Sequence, residues 1–494
     1  MKVHFVFAPT LKKFRLGELS EGRVPPLSLL YLASYLRKRW EGNLEMRFTD
    51  GLLAGMEQTI KEVVRFSPDV VAVSFYTPQA EGAYVFVNTV KKACPESFVV
   101  VGGVHATSLP EDVFARCKPD LLVTGEGEET FLEVVKLVAG KRTIAGNGFS
   151  EVAGIAFFAP DARQVIKTPT RHYIQRLDAI PFPAYDLLEL KDYKGWYLNK
   201  GGLEAPILSS RGCPYWCTFC SNLVWKLAKP HLRLRSPENV VDEIEFLVKE
   251  YGVREINDCS DEFNNNITNA LAICREIKRR GLKIWWKTSL RVDRLPEELI
   301  KEMAESGCWY VLLGIESGNE RTLQGIEKKI TLDYVVKACR LLKRYRIKIQ
   351  GLFMLYNVWE EKGRLEYETS LEVKKTLDYA YGLVKGGLLD YVGWSVTVPY
   401  PGSKLYEITG RHNLIRPEYQ GNWEAWLKRD SYVFALPGIS RQEQIRLKTK
   451  GSFLRAKLIL RERQIRWKDV PWLFNKGLKV ILNEIKARAK HLSF

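Results

Sequence analysis

The sequence of 494 residues predicts an α/β protein with two successive strand–helix alternations and a basic, helical C-terminal region. Short apolar segments alternate with segments of helical apolar spacing over residues 1–140, and the alternation resumes over residues 205–405. Buried apolar strands that are separated by helices favour parallel sheets. A chain of this length is expected to divide into about two to four domains.

The first alternation predicts a doubly wound, Rossmann-like parallel sheet over residues 1–145. Its predicted strands are Val3–Ala8, Val70–Phe75, Phe98–Val101 and Leu121–Val123, a further strand precedes Asp50, and its predicted helices are Leu27–Arg39 and Ala83–Lys92. Ligands of such a sheet bind at the carboxyl ends of the strands. The candidate ligand-binding residues are therefore those of the loops that follow the strands.

The second alternation begins after the apolar segment Ala205–Leu208. Ser236, Pro237 and Glu238 predict the start of a helix that ends at Tyr251, because serine caps a first turn and proline suits the first helical position. Further strands are predicted at Arg254–Asp258, Lys283–Ser289, Tyr310–Ile315, Ile347–Phe353 and Val392–Val398. Each strand is followed by a polar or glycine-containing turn, as the mouth of a parallel barrel requires.

Three clustered cysteines follow the first strand of this second alternation. Cys213, Cys217 and Cys220 have the spacing Cys-x3-Cys-x2-Cys. Three such thiolates can hold three irons of a cubane cluster, and with no fourth cysteine nearby the last iron is open to a substrate or cofactor. A zinc site, which normally has four ligands at other spacings, and three unrelated buried thiols are the alternatives.

The other six of the nine cysteines are scattered, which is typical of a reducing compartment, where they act as small buried hydrophobic residues. No apolar run approaches the roughly 18 to 20 residues that a membrane span needs, and the opening segment is too short for a signal peptide. We therefore expect a cytoplasmic protein.

The cysteine motif resembles that of the radical S-adenosylmethionine (SAM) enzymes. The resemblance implies a [4Fe–4S] cluster on the three cysteines, SAM chelated by the open iron, and reductive cleavage of SAM to a 5′-deoxyadenosyl radical. It implies a partial (β/α)6 radical SAM barrel over residues 204–408, after a linker at residues 146–203 and before a basic helical region at residues 409–494. A low-potential electron donor of the ferredoxin or flavodoxin type would supply the electron.

The same resemblance assigns residues to the SAM pocket. Phe219 would lean its ring against the adenine side of SAM. Asp261 and Glu262, considered jointly, would accept hydrogen bonds from the methionine ammonium, a charge-assisted contact. Asp261 could instead cap a helix.

Two further strand ends complete the expected SAM pocket. Ser289 and Arg291 would contact the ribose hydroxyls and the SAM carboxylate, unless Arg291 forms a surface ion pair with Asp293. The segment 314–318, which closely matches the family, contributes Gly314, Glu316 and Ser317.

The N-terminal loops resemble the cobalamin-binding domain that precedes the core in one large class of radical SAM proteins. Domains that supply a histidine to cobalt read Asp-x-His-x-x-Gly, whereas this chain has Leu52 at the histidine position. Either cobalamin binds without histidine ligation, or the domain has kept the fold and lost the cofactor, or the glycines merely make turns. His105 and His172 are isolated in the sequence, and an isolated histidine is more often a hydrogen-bonded loop or core residue than a metal ligand. The residues expected to contact cobalamin are Asp50, Ser74, Thr77, Gly102, Gly103, Gly125 and Glu126.

One family element is replaced. Relatives carry a Gly-x-Pro-Gly-Glu-Thr turn after the fifth strand, whereas residues 351–361 are bulky and include Phe353, Tyr356 and Trp359. This segment predicts either a more hydrophobic substrate pocket or a longer loop with its own packing.

The C-terminal region carries the excess positive charge. The net charge of the chain is +17, and residues 441–494 contain fifteen Lys and Arg against four acidic residues, interleaved with aromatics such as Trp467, Trp472 and Phe474. This pattern suits peripheral contact with a membrane surface, with nucleic acid as the rival partner and a packed helical cap as the third interpretation.

These features predict an enzyme that modifies an unactivated carbon of a small hydrophobic substrate, by methylation or by ring or C–C bond formation, with cobalamin assisting. A radical SAM RNA modifier of the methylthiotransferase type would explain the basic tail. It lacks a second cysteine triplet, because the N-terminal sheet region holds only Cys94 and Cys117. A non-catalytic iron–sulfur sensor is a third interpretation.

Overall fold

A seven-stranded sheet forms the N-terminal part of the molecule in the computed structural model, which describes residues 1–11, 24–140, 148–159, 161–193, 199–428 and 431–462. Its strands are β1 (Lys2–Phe7), β2 (Glu45–Asp50), β3 (Val70–Ser74), β4 (Phe98–Gly102), β5 (Leu121–Val123), β6 (Ile155–Ala159) and β7 (Gln164–Lys167). The order is β2-β1-β3-β4-β5-β6-β7. Strands β1 to β5 are parallel, which confirms the predicted doubly wound sheet.

Helices cover both faces of this sheet. They are α1 (Leu27–Arg39), α2 (Gly51–Ala54), α3 (Met56–Phe66), α4 (Ala80–Ala93), α5 (Val104–Ser108), α6 (Pro110–Arg116) and α7 (Glu128–Ala139). Neighbouring strand residues point to opposite faces, so Ala72 lies in one core cluster and Val71 and Val73 lie in the other. Burial on both faces explains why these strands read as continuous apolar runs.

The N-terminal sheet extends beyond residue 145, the boundary expected from the sequence. Strand β6 pairs antiparallel with β5, and β7 pairs antiparallel with β6. Ile155 and Ala156 are buried against the sheet, because the edge of β5 offers unpaired backbone groups and an apolar face. The first part of the expected linker therefore completes this sheet.

The second alternation forms a six-stranded parallel half-barrel with the strand order β17-β14-β13-β12-β11-β8. Its strands are β8 (Leu203–Ile207), β11 (Val253–Asp258), β12 (Trp285–Leu290), β13 (Cys308–Glu316), β14 (Lys348–Leu355) and β17 (Tyr391–Val396), with two short pairs, β9 (Ser210–Gly212) with β10 (Leu232–Leu234) and β15 (Val358–Glu361) with β16 (Arg364–Tyr367). The predicted strands match these bounds to within about two residues at most ends.

Helices surround the half-barrel on its outer side. They are α8 (Pro237–Tyr251), α9 (Ile267–Arg279), α10 (Glu297–Glu305), α11 (Glu320–Gly325), α12 (Leu332–Arg344), α13 (Ser370–Lys385), α14 (Lys404–Arg411) and α15 (Arg441–Glu462). Helix α8 begins as predicted, with the Ser236 hydroxyl accepting from the Asn239 amide at 3.2 Å.

The segment that departs from the family pattern packs into the core. Phe353, Tyr356 and Trp359 are 1%, 1% and 2% exposed, and Trp359 lies on the hairpin of β15 and β16. A Cβ atom at Gly325 would lie 2.4 Å from the Trp359 ring, so the indole occupies space that only glycine leaves. Phe353, Tyr356 and Trp359 therefore pack within the protein, whereas Leu352 and Met354 of the same segment are only partly buried.

The described part of the basic tail is a packed cap. Helix α15 lies against α13 and β17, and a Cβ atom at Gly451 would lie 3.0 Å from the Trp394 ring. The aromatic residues on which the membrane expectation rested, Trp467, Trp472 and Phe474, lie outside the described residues. Among the residues that are described, no helix is long and apolar enough to cross a membrane.

A buried ion-pair cluster joins the N-terminal sheet to the half-barrel. Arg233 donates to both carboxylate oxygens of Glu126 at 2.7 Å, and Arg211 donates to Glu126 at 2.9 Å and to Glu128 at 2.6 Å. All four side chains are at most 7% exposed. Because buried charges are costly without partners, this cluster holds the two sheets in one relative position.

We expect Glu126→Gln to lower the apparent free energy of unfolding by about 3–5 kcal/mol, because it leaves a buried guanidinium short of its counter-charge. Urea denaturation followed by circular dichroism measures the change. Asp186→Asn is the control, since it removes an exposed pair between α1 and the linker, in which Arg37 and Asp186 lie 2.8 Å apart, and should cost about 1 kcal/mol or less. Equal effects of the two substitutions would contradict the anchoring role.

Candidate functional site

The three clustered cysteines lie on one loop that leaves β9. Gly212, which opens the loop, has φ +89°, and a Cβ atom there would lie 2.2 Å from the His231 carbonyl oxygen. The middle of the loop is pinned from two sides: the Thr218 amide donates to the Ile326 carbonyl at 3.0 Å, and the Leu405 amide donates to the Thr218 carbonyl at 2.8 Å. The loop is therefore held across the carboxyl ends of the barrel strands.

The electrostatic environment of the thiols suits binding to a cationic cluster. Burial raises the pKa of all three thiols, that of Cys220 to about 12, and the nearby Asp261 carboxylate adds to the rise for Cys213 and Cys220. Neutral thiols therefore prevail until iron supplies positive charge, since the thiolate is the form that binds metal.

The donor set of the loop is three thiols. A cubane cluster binds one thiolate per iron, so Cys213, Cys217 and Cys220 could each hold one iron of such a cluster. Across the residues that the structure describes, no three His, Cys, Asp or Glu side chains form a site for a single metal ion.

Lys226 braces the cysteine loop, and sequence reasoning missed it. Its ammonium group donates to the carbonyl oxygens of Cys213 and Tyr215, the second at 2.9 Å. It also lies 4.3 Å from the centre of the Trp216 ring. The only sequence signal was a lysine six residues after the last cysteine.

Arg291 is buried beside the loop rather than at the surface. Its side chain is 2% exposed, lies 3.6 Å from the centre of the Tyr215 ring, and pairs with Asp293 at 3.0 Å. A further guanidinium hydrogen reaches the Lys328 carbonyl at 2.9 Å. Arg291 thus forms the ion pair with Asp293 that the sequence suggested, but the pair is buried rather than on the surface. It orients the arginine toward the cysteines.

Glu262 is an unusual residue at the end of β11. It has φ +111°, a strained conformation for a non-glycine residue, and its Oε2 atom is buried without a hydrogen-bond partner among the described residues. Burial raises the pKa of Glu262 to about 7, while Lys328 opposes the rise. A buried acceptor held in strained backbone beside the cysteines is suited to a cationic ligand.

Asp261 and Cys220 are solvent-accessible side chains. Desolvation by the surrounding protein nevertheless raises the pKa of each. Asp261 does not cap a helix here, because Asn266 caps α9.

The glycine-rich end of β13 carries a buried ion pair. Lys328 lies 3.1 Å from Glu316, whose φ is +67°. A Cβ atom at Gly314 would lie 2.6 Å from the Lys328 ammonium and 2.7 Å from Glu316 Oε1, so glycine makes room for the pair. Lys328, a second residue missed from sequence, places a positive charge near Glu262 and Cys217.

Ser317 belongs to a network on the outer side of this turn. Its hydroxyl donates to Glu368 at 2.8 Å and lies 3.1 Å from the Thr376 hydroxyl. Glu368 also accepts from the Asn357 amide at 3.0 Å. The structure therefore gives Ser317 a supporting role for the turn, whereas the sequence suggested a ligand contact.

The side chains on the inner face of the half-barrel are partly exposed. On β13 and β14 the outward residues pack against the helices, so alternation directs Leu312, Leu352 and Met354 inward, where each is only partly buried. Neighbouring strands carry three polar residues that are also partly buried: Asn257, Ser289 and Ser395. Lys287, which lies beside Asn257 in the strand register, pairs with Glu204 at 2.7 Å.

Phe219 is partly buried, and it packs against the main core cluster. Its position between Cys217 and Cys220 on the pinned loop agrees with an aromatic contact next to the cluster. Among the described residues, the contacts of Phe219 do not distinguish it from an ordinary core phenylalanine.

The carboxyl ends of the N-terminal strands face the cysteine loop. Leu227, seven residues after Cys220, would contact a Cβ atom at Gly125 at 3.2 Å. Tyr76, which follows β3, is 55% exposed, yet burial raises its pKa, and the thiolate form of Cys259 on the barrel adds to the rise. The carboxyl ends of the strands of the two sheets therefore face each other, and we call the space between them the chamber.

Several loop residues proposed as cofactor contacts are engaged within the protein. Asp50 caps α2 through the Leu52 amide at 2.9 Å and accepts from Tyr193 at 3.1 Å. Glu126 has both oxygens in the interdomain ion pair. A Cβ atom at Gly103 would lie 2.9 Å from Ser74 Oγ, so this glycine and Ser74 pack against each other, while Gly102 is less crowded.

Neither His105 nor Leu52 offers a ligand to a metal. Both ring nitrogens of His105 are occupied, one by the Tyr84 hydroxyl at 2.8 Å and the other by Thr77 Oγ1 at 3.2 Å. This agrees with the expectation of a hydrogen-bonded core histidine. Thr77, held by His105, is nearly fully buried.

The class defined by this fold and site is that of the radical SAM enzymes with an N-terminal cobalamin-type domain. A family model of the radical SAM superfamily matches residues 207–366, and a B12-binding domain model matches residues 16–135. The chain is 32% identical to an uncharacterized methyltransferase of Pyrococcus horikoshii over 94% of both proteins. The protein therefore belongs to the radical SAM superfamily and is a radical SAM enzyme.

Other relatives have more specific descriptions. The chain is 30% identical to the anaerobic magnesium-protoporphyrin IX monomethyl ester cyclase of Rubrivivax gelatinosus, over 80% of this chain and 70% of the cyclase. It superposes on the cobalamin-dependent radical enzyme OxsB with a TM-score of 0.65 and 20% identity, covering 84% of this chain and 62% of OxsB. The methyltransferase TsrM of Kitasatospora setae gives 0.63 and 18%, covering 84% of this chain and 76% of TsrM.

The network around Glu368 predicts a pH-dependent stability. Burial raises the pKa of Glu368 to about 7, above the 4.5 of the free side chain. Between these values the folded protein holds a proton that the unfolded chain has lost, so stability falls as the pH rises from about 4.5 to about 7. Glu368→Gln should reduce this fall, as urea denaturation at about pH 5 and about pH 8 would show.

The control is Glu366→Gln on strand β16, where Glu366 pairs with Arg321 in a partly exposed position. This substitution should leave the pH dependence of stability as in the unmodified protein. A Glu368→Gln protein with the full original pH dependence would contradict the assignment.

Proposed function

We propose that this protein uses SAM, a [4Fe–4S] cluster and cobalamin without histidine ligation to methylate, or to close a ring or C–C bond at, an unactivated carbon of a substrate with a large apolar part. The observation that carries the proposal is the chamber: three thiols and the unpartnered Glu262 face it from the barrel, and Tyr76 faces it from the cobalamin-type domain. When bound, SAM, the cluster and cobalamin would supply a carbon radical and a transferable methyl group.

Cys213, Cys217 and Cys220 would hold the cluster. Lys226 keeps the loop in shape through the two carbonyls that it binds. The Arg291 guanidinium and the Lys328 ammonium place positive charge beside Cys217, which favours its thiolate form.

The acidic residues at the strand ends would orient SAM. Glu262, jointly with Asp261, offers carboxylate oxygens to the methionine ammonium, and Ser289 offers a hydroxyl on the inner face. Glu316 is already paired with Lys328, so we assign it to holding that lysine. The strained backbone of Glu262 supports this assignment, because strain persists where the surroundings demand one geometry.

Cobalamin would lie at the carboxyl edge of the N-terminal sheet. Support comes from the open edge near Tyr76, the less crowded Gly102, and the contact of Gly125 with the segment after the cysteines. Leu52 packs against the core and cannot bind cobalt. The ion pairs of Glu126 hold this edge over the barrel and help exclude water from the chamber.

The inner face of the barrel supports the substrate class. Leu312, Leu352 and Met354 offer apolar contact, while Asn257, Ser289 and Ser395 offer hydrogen bonds. A site of this composition suits a molecule with a hydrophobic body and a few polar groups. The methyltransferase and cyclase descriptions of the relatives agree with this class.

We expect Cys213→Ala, Cys217→Ala and Cys220→Ala each to abolish the cluster and the reductive cleavage of SAM to 5′-deoxyadenosine, because no neighbouring donor can replace the lost thiolate. Iron content, the visible absorption of the anaerobically reconstituted protein and chromatography of the nucleoside product measure these effects.

Cys94→Ala is the matched control, since Cys94 is partly buried and lies at the end of α4, away from the loop. It should retain both properties. Cluster and cleavage in all three loop variants would refute the assignment, and a cluster without any SAM cleavage would favour the sensor interpretation.

We expect protein produced with cobalamin to bind it without a nitrogen ligand from the protein. Electron paramagnetic resonance of the Co(II) form would show no superhyperfine splitting from a protein imidazole. A nitrogen splitting that is present in the unmodified protein and lost in His105→Ala would contradict this expectation, because both ring nitrogens of His105 are hydrogen-bonded within the protein. If the protein takes up no cobalamin, the result would favour a domain that has kept the fold and lost the cofactor.

Two finer expectations remain proposals. Peripheral membrane contact through residues 441–494 would bring a lipid-like substrate to the enzyme, and nucleic acid is the alternative basic partner. The RNA-modifying alternative finds no support in the described N-terminal residues, where Cys94 and Cys117 do not form a second cluster motif.

A further inference from the structure

Two adjacent helices expose large apolar side chains to solvent. Phe453 on α15 and Leu371 on α13 are 70% and 63% exposed, and Tyr381 on α13 is 52% exposed. A single exposed hydrophobic residue is ordinary on a protein surface, whereas several on neighbouring helices mark an interaction surface. The residues around these three side chains indicate the kind of partner.

The three side chains lie on the outer faces of two helices that pack against each other. The inner sides of the helices meet at Gly451 of α15, where a Cβ atom would lie 3.1 Å from the Leu377 side chain of α13. The outer residues of α13 are exposed and follow helical spacing: Leu371, Lys374, Lys375, Asp378, Tyr381 and Lys385. Those of α15 are Arg446, Lys450 and Phe453. We call these nine residues the α13–α15 face.

The α13–α15 face is positively charged. Five of its residues are lysine or arginine, and Asp378 is its one acidic residue. None of the five basic residues forms an ion pair with another residue that the structure describes. By contrast, Arg441 at the start of α15 pairs with Glu418 at 3.2 Å. The charges of the face are therefore available to a partner.

An anionic lipid bilayer is the partner that this combination fits. Leucine and phenylalanine side chains insert at the boundary between headgroups and acyl chains, while basic residues beside them attract anionic headgroups. Lysine is depleted at protein–protein interfaces, and an aliphatic leucine gains little from the stacking that holds single-stranded nucleic acid. We propose that the α13–α15 face docks the protein on an anionic membrane surface.

The face extends the membrane contact expected for residues 441–494 onto α13 of the radical SAM core. Helix α15 packs against β17, the edge strand of the half-barrel. Strand β14 lies next to β17, and its Leu352 and Met354 are partly exposed on the inner face. Docking therefore brings the edge of the substrate site to the bilayer, from which an amphiphilic substrate enters. This entry route rests on the proposed function, whereas the docking itself does not.

The chain offers matched controls outside the face. Lys249 on α8 and Lys301 on α10 are exposed lysines on helices that pack against α9. Trp285 is a large exposed side chain at the start of β12, and β13 and β14 separate that strand from β17. Substitutions there reproduce the change in net charge or in apolar surface without altering the face.

Flotation of the full-length protein with vesicles of phosphatidylcholine and phosphatidylglycerol at low salt tests the proposal. We expect Lys374→Glu combined with Lys450→Glu to lower the partition coefficient by about tenfold or more, because two attractive charges become repulsive. Leu371→Ala combined with Phe453→Ala should lower it by about threefold or more. Lys249→Glu combined with Lys301→Glu, and Trp285→Ala, should each change it by less than about twofold.

Several outcomes would overturn the docking proposal. These are an unmodified protein that does not float, binding that added salt fails to weaken, variants of the face that bind as well as the unmodified protein, and an equal loss in the control variants. Variants that float normally but lose retention of single-stranded RNA on a filter would assign the face to nucleic acid and also overturn it. Circular dichroism confirms that each variant is folded.

SAM cleavage by the reconstituted, unmodified protein is measured separately. If the protein floats with anionic vesicles but cleaves no SAM, the proposed function fails and the docking stands. If it cleaves SAM but ignores the vesicles, the docking fails and the proposed function stands.

Discussion

The buried ion pairs between Glu126, Glu128, Arg211 and Arg233 are the constraint on which the rest of the molecule depends. Arg211 lies two residues before the first cluster cysteine, and Glu126 lies in the loop after β5. Locking these side chains together brings the carboxyl ends of two separate sheets face to face. Neither sheet alone would enclose a chamber, because each presents its strand ends on an open edge.

The charges in the chamber follow from that enclosure. Glu262, Glu316, Lys328 and Arg291 would be ordinary hydrated groups on an open surface. Once they are buried, Lys328 pairs with Glu316 and Arg291 pairs with Asp293, whereas Glu262 Oε2 has no hydrogen-bond partner among the described residues. A cationic ligand is the partner that such an arrangement lacks. The same enclosure keeps the cysteine thiols neutral until a metal cluster binds.

Much of the fold could be predicted because its signals are local. Apolar runs of five or six residues predicted the strands, Ser236 predicted the start of α8, and the spacing of three cysteines predicted a loop that binds a cluster. The resemblance to the radical SAM family also placed Asp261, Glu262 and Arg291 at strand ends near that loop. The missed residues, Lys226 and Lys328, have no local signal, because a lysine becomes a structural brace only through what surrounds it.

The sequence by itself determined the class of enzyme, since the three thiols and the strand–helix pattern need no tertiary contact to be recognised. Only the tertiary structure decided the roles of individual polar residues. It placed Glu126, which the sequence suggested as a cobalamin contact, in an ion pair. It placed Ser317, suggested as a SAM contact, in a hydrogen-bond network that supports its turn. Trp359, for which the sequence left open a substrate pocket or a packed loop, lies in the core. The physical reason is that a side chain's role depends on which partners burial brings within hydrogen-bonding distance, and those partners lie as many as 107 residues away along the chain.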